Sequence, residues 1–345
     1  MNGLLWLATT ALASPFTDQV AAHPPVAHPE PAYHFAAEVY SRIAAAEALA
    51  PGVIVPERIG STIENRPIWA FAVRDPATPV TARLLLIANI HAMEWIPTED
   101  ALAFLLDYAA HPVGGVEVDV VPIVNADGRA RVEGDLLNGR NLYRRGNAAH
   151  VDLNRDWAVN RDSHAIWKAL LPGRYATSPS ALSQPETQAI DGLLSRDAPD
   201  LSCSDPAHPA RNSAFDGFLS LHSFGGFIYY PWAGRWHRPD EHAGDWRRYQ
   251  QIGEAMEAAM GAHAYRPRQL SRWGFFFRGQ GMELDHVYGT YGIPAFLVET
   301  TRSGLERPAD LHTYFRWYNP RDPARHVRAG VDMLRAWVTA TINNP

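Results

Sequence analysis

The run Arg83-Leu84-Leu85-Leu86-Ile87-Ala88-Asn89-Ile90 is apolar almost throughout and stops at His91-Ala92-Met93-Glu94-Trp95. A short apolar run of this kind, rich in branched residues, reads as a buried strand. Its end constrains the chain further. An imidazole and a carboxylate stand at i and i+3 where the strand stops, and ligand crevices in open α/β sheets form at strand ends. A His and a Glu so spaced can grip one divalent ion, and zinc accepts both nitrogen and oxygen. Alone the pair carries little: with 15 His and 16 Glu in 345 residues, chance supplies about 0.7 His-x-x-Glu matches, and the chain holds one. A surface salt bridge explains an isolated match equally well.

The pattern around this strand sets the architecture. His34 to Ala48 reads as a helix with Phe35, Val39 and Ile43 on one face. Short strands follow around Ile59 and over Ile68 to Val73, joined by a turn at Glu64-Asn65-Arg66-Pro67. Pro97 opens a helix carrying Ala101, Phe104, Leu105 and Tyr108. Val116 to Val124 reads as a strand that ends in a loop, Asn125-Ala126-Asp127-Gly128. Ser183-Gln184-Pro185-Glu186 has the form of a capping box ahead of a helix through Leu194. Phe218 to His222 and Pro294 to Glu299 are further strands, and Trp246 to Ala262 and Ala324 to Ala340 read as amphipathic helices. Strands alternating with helices predict a single α/β domain with a mixed parallel and antiparallel central sheet and helices on both faces.

A hydrophobic content of 46% in 345 residues supports a large core. A formal charge of −6, with no basic stripe, excludes a nucleic-acid-binding face. Cys203 is the one cysteine, so no intramolecular disulfide forms, and an inert thiol is expected. Residues 1–22 read as a leader for export to the periplasm or outside the cell, with small-x-small sites at Ala11-Leu12-Ala13 and Val20-Ala21-Ala22, although no Lys or Arg precedes the apolar stretch. That stretch is too short for stable membrane insertion. Residues 23–32, rich in Pro and His, read as a solvated linker, and residues 33–342 as the single folded domain.

Other strand ends carry matching chemistry. His222 closes an apolar strand just before Gly225-Gly226 and suits a third metal ligand. Glu299 follows Ala295-Phe296-Leu297-Val298, where burial raises proton affinity and suits a general base. Arg144, Asn154 and Arg155 supply guanidinium and amide donors for a carboxylate. Each of these has an ordinary structural explanation when taken singly: a core histidine, a strand-end ion pair, a salt-bridge network.

Their order along the chain is more specific. His91-x-x-Glu94, Asn125-x-Asp127-Gly128, Tyr143-Arg144-Arg145, Asp152-x-Asn154-Arg155-x-Trp157, Ser183-x-Pro185-Glu186-Thr187, His222-Ser223 and the final Gly292-Ile293 with Glu299 resemble the zinc carboxypeptidase family of the carboxypeptidase A and B type, from about Tyr33 to about Trp337. The resemblance implies one zinc per chain held by His91, Glu94 and His222, and Glu299 as general base toward a metal-activated water. It implies Arg144 as the group that polarises the scissile carbonyl. Asn154 and Arg155 match the seat for the free C-terminal carboxylate of a peptide substrate. The implied activity is exopeptidase cleavage of the last peptide bond.

The chain departs from the family at three places. Phe277 stands where a mobile tyrosine is usual, Met93 where an arginine is common, and Leu284 at the floor of the side-chain pocket. Leu284 implies an apolar or aromatic C-terminal residue. Two alternatives remain on the same fold: a zinc amidase for cell-wall peptides, with Arg272 or Arg278 as an added grip, and a non-catalytic binding protein, which the intact Glu299 and metal ligands disfavour.

Overall fold

The computed structural model describes residues 14–162, 177–196, 198, 211, 213–239, 244–274, 278–302 and 305–344. Eight strands form one sheet: β1 (Ile54–Ser61), β2 (Pro67–Val73), β3 (Ala82–Ala88), β4 (Val116–Val121), β5 (Gly217–Ser223), β6 (Phe227–Tyr230), β7 (Arg266–Gln269) and β8 (Ala295–Thr300). Their order is β1-β2-β4-β3-β5-β8-β6-β7. The centre β4-β3-β5-β8 is parallel, while β1, β2 and β6 join antiparallel. Every residue of β4 and β5 is buried. Side chains of a strand alternate between faces, so both faces of the sheet are covered, as parallel sheets require.

The cover comes from helices α1 (Pro15–Ala22), α2 (Ala36–Leu49), α3 (Ile96–Ala110), α4 (Ala126–Leu137), α5 (Pro185–Ser195), α6 (Asp245–Ala259), α7 (Glu283–Tyr291), α8 (Tyr314–Tyr318) and α9 (Ala324–Asn343). α9 packs against both α3 and α6. α3 is the crossover from β3 to its parallel neighbour β4. The chain then returns to the other side of β3 with β5. That reversal is a topological switch point, and the loops leaving β3 and β5 part there to leave a crevice.

Several sequence expectations change. Asn125-Ala126-Asp127-Gly128 is not a loop but the cap and first turn of α4. The Asn125 side chain accepts from the Gly128 amide at 2.9 Å. A Cβ at Gly128 would stand 2.6 Å from the Ala92 Cβ, so only glycine lets α4 close on the turn that carries Glu94. Asp127 is buried and accepts from the Thr62 hydroxyl, the Glu64 amide and the Arg66 guanidinium. The capping box at Ser183 does not form. The Asp156 carboxylate, 28 residues upstream of Gln184, accepts from the Ser183 and Gln184 amides and the Thr187 hydroxyl instead. Edge strand β7 reads Arg-Pro-Arg-Gln and carries no apolar pattern; Pro267 is tolerated because an edge strand has an unpaired side. α7 is short and buried along almost its whole length, so it shows no amphipathic period.

The N-terminal segment also differs from its reading. Residues 15–22, placed in the leader, form α1, capped by Ser14 and packed on the core. Phe16 is 1% exposed and meets the rings of Tyr40, Trp69 and Phe71 edge-on. Gln19 accepts from the Trp69 indole at 2.7 Å. The linker is docked rather than solvated: the His28 ring stacks on Phe35 and bonds Glu38, and Glu30 pairs with Arg316. Residues 1–13 and Cys203 lie outside the described residues. Among the described residues no helix is long and apolar enough to cross a membrane.

Candidate metal centre

The end of β3 is shaped by an asparagine. Asn89 has φ +56°, a left-handed conformation that asparagine tolerates better than most residues. Its amide donates to the carbonyls of both His91 and Glu94 at 2.9 Å, which closes the ligand turn. Asn319, far along the chain, donates to the Met93 carbonyl at 2.8 Å and accepts from the Trp95 and Ile96 amides. Asn125 donates to the Ile90 carbonyl. Three buried asparagines therefore fix a turn with no regular secondary structure, and the local sequence pattern shows none of these bonds.

His91, Glu94 and His222 converge, with one ligand atom from each lying within 4.8 Å of the others, all buried. His91 Nδ1 is 2.9 Å from Glu94 Oε1, and His222 Nδ1 is 3.2 Å from His91 Nδ1 and 3.3 Å from Glu94 Oε2. Tetrahedral ligands about 2.0–2.1 Å from one ion stand roughly 3.3 Å apart, so the spacing suits a shared cation. The outer nitrogens set the ring orientation. His91 Nε2 faces Asp152 Oδ1 at 3.0 Å, and His222 Nε2 faces Glu283 Oε1 at 2.7 Å. An ionised carboxylate only accepts, so each Nε2 carries its proton and donates, which leaves both Nδ1 atoms free to hold a metal.

The electrostatics ask for positive charge at this point. Burial opposes charging His222, but the Glu283 and Glu94 carboxylates outweigh it and push its pKa up to about 10. Burial likewise opposes ionised Glu94, and His91 and His222 hold its carboxyl well below the usual range. Arg145 reaches in with Nε 2.8 Å from Asp152 Oδ2 and Nη1 3.5 Å from Glu94 Oε1. Glu299 is the Cα partner of His222 across the parallel β5–β8 pair. Its Oε2 is buried with no hydrogen-bond partner. Burial, and then repulsion from Glu94, push its pKa up to about 8.

These groups face a crevice of about 560 Å³, lined by His91, Glu94, Arg145, Asn154, Arg155 and Glu299 and walled by apolar and aromatic side chains. A two-histidine, one-glutamate donor set with an open side is what a catalytic zinc takes. The zinc carboxypeptidase family model matches residues 39–316. The chain belongs to the zinc carboxypeptidase family. It is similar to carboxypeptidase O of Bos taurus, 23% identical with 89% of this chain and 86% of that protein covered. It is 24% identical to carboxypeptidase A2 of Mus musculus over 61% of this chain and 49% of that one. The fold is shared with thrombin-activatable fibrinolysis inhibitor, TM-score 0.70 at 18% identity over 91% of this chain and 75% of that chain. It is shared also with carboxypeptidase A of Helicoverpa armigera, TM-score 0.66 at 18% identity over 90% and 74%.

This zinc carboxypeptidase thus brings His91, Glu94 and His222 to one point and Glu299, Asn154 and Arg155 to the crevice beside it. Two expectations need correction. Arg144 does not line the crevice: its Nε and Nη2 clasp Asp135 at 2.7 and 3.3 Å, and Arg145 stands beside Glu94. Adjacent arginines in an irregular segment cannot be told apart by spacing. Leu284 is fully buried in the core and does not line the crevice, whose apolar wall comes from Tyr229, Leu270 and Met282. Phe277 lies outside the described residues. Arg272 and Arg278 gather at Trp236, 5.2 and 4.3 Å from its ring centre, and neither lines the crevice. The sequence reading missed Glu283, Asp152 and the three asparagines as supports of the centre.

The His222–Glu283 pair yields a direct expectation. Glu283→Gln removes the charge behind the ring with little change of shape, and zinc affinity falls about 10- to 100-fold, as for other outer carboxylate partners of metal-bound histidines. Competition with a chelator of known affinity measures it. An unchanged affinity would remove Glu283 from that supporting role.

Proposed function

We propose that this metallocarboxypeptidase removes single residues from the C-terminus of peptides, with Glu299 as general base and an apolar or aromatic last residue preferred. One observation carries the reading: Glu299, in register with His222, lines a single crevice with His91 and Glu94 and with the Asn154–Arg155 pair. Zinc held by His91, Glu94 and His222 supplies Lewis acidity there, easing proton loss from water and polarising a carbonyl.

The remaining work falls to side chains. Glu299 accepts the proton from water and later delivers it to the leaving amine, and its raised proton affinity suits both transfers. Arg145, a fixed cation beside Glu94, stabilises the negative charge that develops on the carbonyl oxygen. Asn154 and Arg155, both nearly buried, form the seat for a free carboxylate. An internal peptide bond has no carboxylate to place there, so cleavage is confined to chain ends. Tyr229, Leu270 and Met282 give the last side chain an apolar wall.

Export is part of the proposal. Processing after Ala13 leaves Ser14 to cap α1 and keeps Phe16 in the core, whereas processing after Ala22 removes both. The N-terminus of the exported protein, read by mass spectrometry, is expected at Ser14; a start at His23 would show that α1 is dispensable.

A digest of matched peptides with free and amidated C-termini tests the activity. Free-carboxylate peptides ending in Phe or Leu are trimmed and amidated ones are not. Glu299→Gln retains zinc and loses about 10²- to 10⁴-fold in kcat. Internal cleavage, or normal turnover by Glu299→Gln, would defeat the reading.

A further inference from the structure

A second recess, of about 490 Å³, adjoins the metal crevice and is lined by Arg266, Arg268 and Arg302 with no acidic residue. The two cavities share Gly225, Phe227 and Arg302, so they form one continuous surface. Sheet register explains the placement. His222, Glu299, Phe227 and Arg266 are successive Cα partners across β5, β8, β6 and β7. Neighbouring strands stand about 4.8 Å apart, so Arg266 lies about 10 Å from the base along this row. Side chains two apart in a strand share a face, and Arg266 and Arg268 stand opposite Phe227 and Tyr229, both of which line the crevice. Gly226, at φ +71°, leaves the room: a Cβ there would come within 3.0 Å of the Arg302 Cγ.

The charges in the recess are uncompensated. None of the three guanidinium groups has an ion pair or side-chain hydrogen bond among the described residues. In a third cavity, lined by Arg131, Arg144, Arg145 and Asp152, each arginine is by contrast tied to a carboxylate. The chain carries a formal charge of −6, so acids are in excess, yet among the described residues none lines the recess. Like charges gathered in one concavity repel each other and draw in an anion.

We propose that Arg266, Arg268 and Arg302 form a subsite for carboxylate side chains of the peptide substrate, on residues upstream of the scissile bond. The inference rests on the exopeptidase reading of the crevice. Asn154, Arg155, Leu270 and Met282 line the crevice alone, so the C-terminal residue is held away from the recess. The chain leading to the cut leaves over the rim at Gly225 and Arg302. About 10 Å of extended chain is roughly three residues, which places the favoured Asp or Glu two or three positions before the cut. The enzyme would thereby trim acidic tails that end in an apolar residue.

The test uses the zinc-loaded full chain and three peptides: Ala-Glu-Glu-Ala-Phe, Ala-Gln-Gln-Ala-Phe and Ala-Gln-Gln-Ala-Glu. At low salt the first is cleaved with kcat/KM roughly tenfold above the second, as for a few exposed charge pairs, and the advantage shrinks as salt rises. The combined Arg266→Gln and Arg268→Gln variant, which leaves the crevice lining untouched, loses most of that advantage and cleaves the second peptide normally. Calorimetric binding of the first two peptides to the Glu299→Gln protein shows the same ratio without turnover. Equal affinity for both, an advantage that survives the double substitution, or a preference for the peptide ending in Glu overturns the proposal. If no peptide is cleaved, the exopeptidase reading fails by itself, and the calorimetric ratio still decides the subsite.

Discussion

Two imidazoles turned face to face by carboxylates behind them are the constraint on which the rest depends. With Asp152 and Glu283 taking the outer nitrogens, the inner nitrogens of His91 and His222 stand 3.2 Å apart and offer electron pairs to the same point. That arrangement is tolerable only around positive charge. The charges nearby agree. The carboxyl groups of Glu94, Asp152, Glu283 and Glu299 outnumber the guanidinium groups of Arg145 and Arg155. A divalent cation offsets that excess of acid in a buried site, where an unbalanced charge is costly.

The sheet explains why these side chains meet. The parallel strands β3, β5 and β8 end at the same edge, and the chain reverses its direction of winding between β3 and β5. His222 and Glu299 need only be in register to face the same space. His91 and Glu94 lie beyond the strand end and need more, which the side chains of Asn89, Asn125 and Asn319 supply. The donor geometry therefore rests on hydrogen bonds to backbone made by residues that do not line the crevice.

Much of this was legible in the sequence because it depends on local patterns. The runs Leu84 to Ala88, Phe218 to Leu221 and Ala295 to Val298 announce buried strands, and His91, His222 and Glu299 follow within three residues of their ends. What escaped depends on contacts between distant residues. Glu283 supports His222 from 61 positions away, and Asp156 caps a helix that Ser183 was expected to cap. The choice between Arg144 and Arg145 turns on which way an irregular segment faces, with Asp135 claiming the one and Asp152 the other. Leu284 failed as a pocket floor because α7 turns it into the core and leaves Met282, one residue before the helix, at the crevice. β7 was invisible because an edge strand two removed from β8 needs no apolar face, and that freedom is what lets it carry Arg266 and Arg268.

Anomalous diffraction at the zinc absorption edge tests the central claim most directly. The account predicts one peak per chain, about 2.0–2.1 Å from Nδ1 of both His91 and His222 and within bonding distance of the Glu94 carboxylate. A peak bound through the Nε2 atoms, a site elsewhere in the chain, or zinc-soaked crystals with no peak would contradict it.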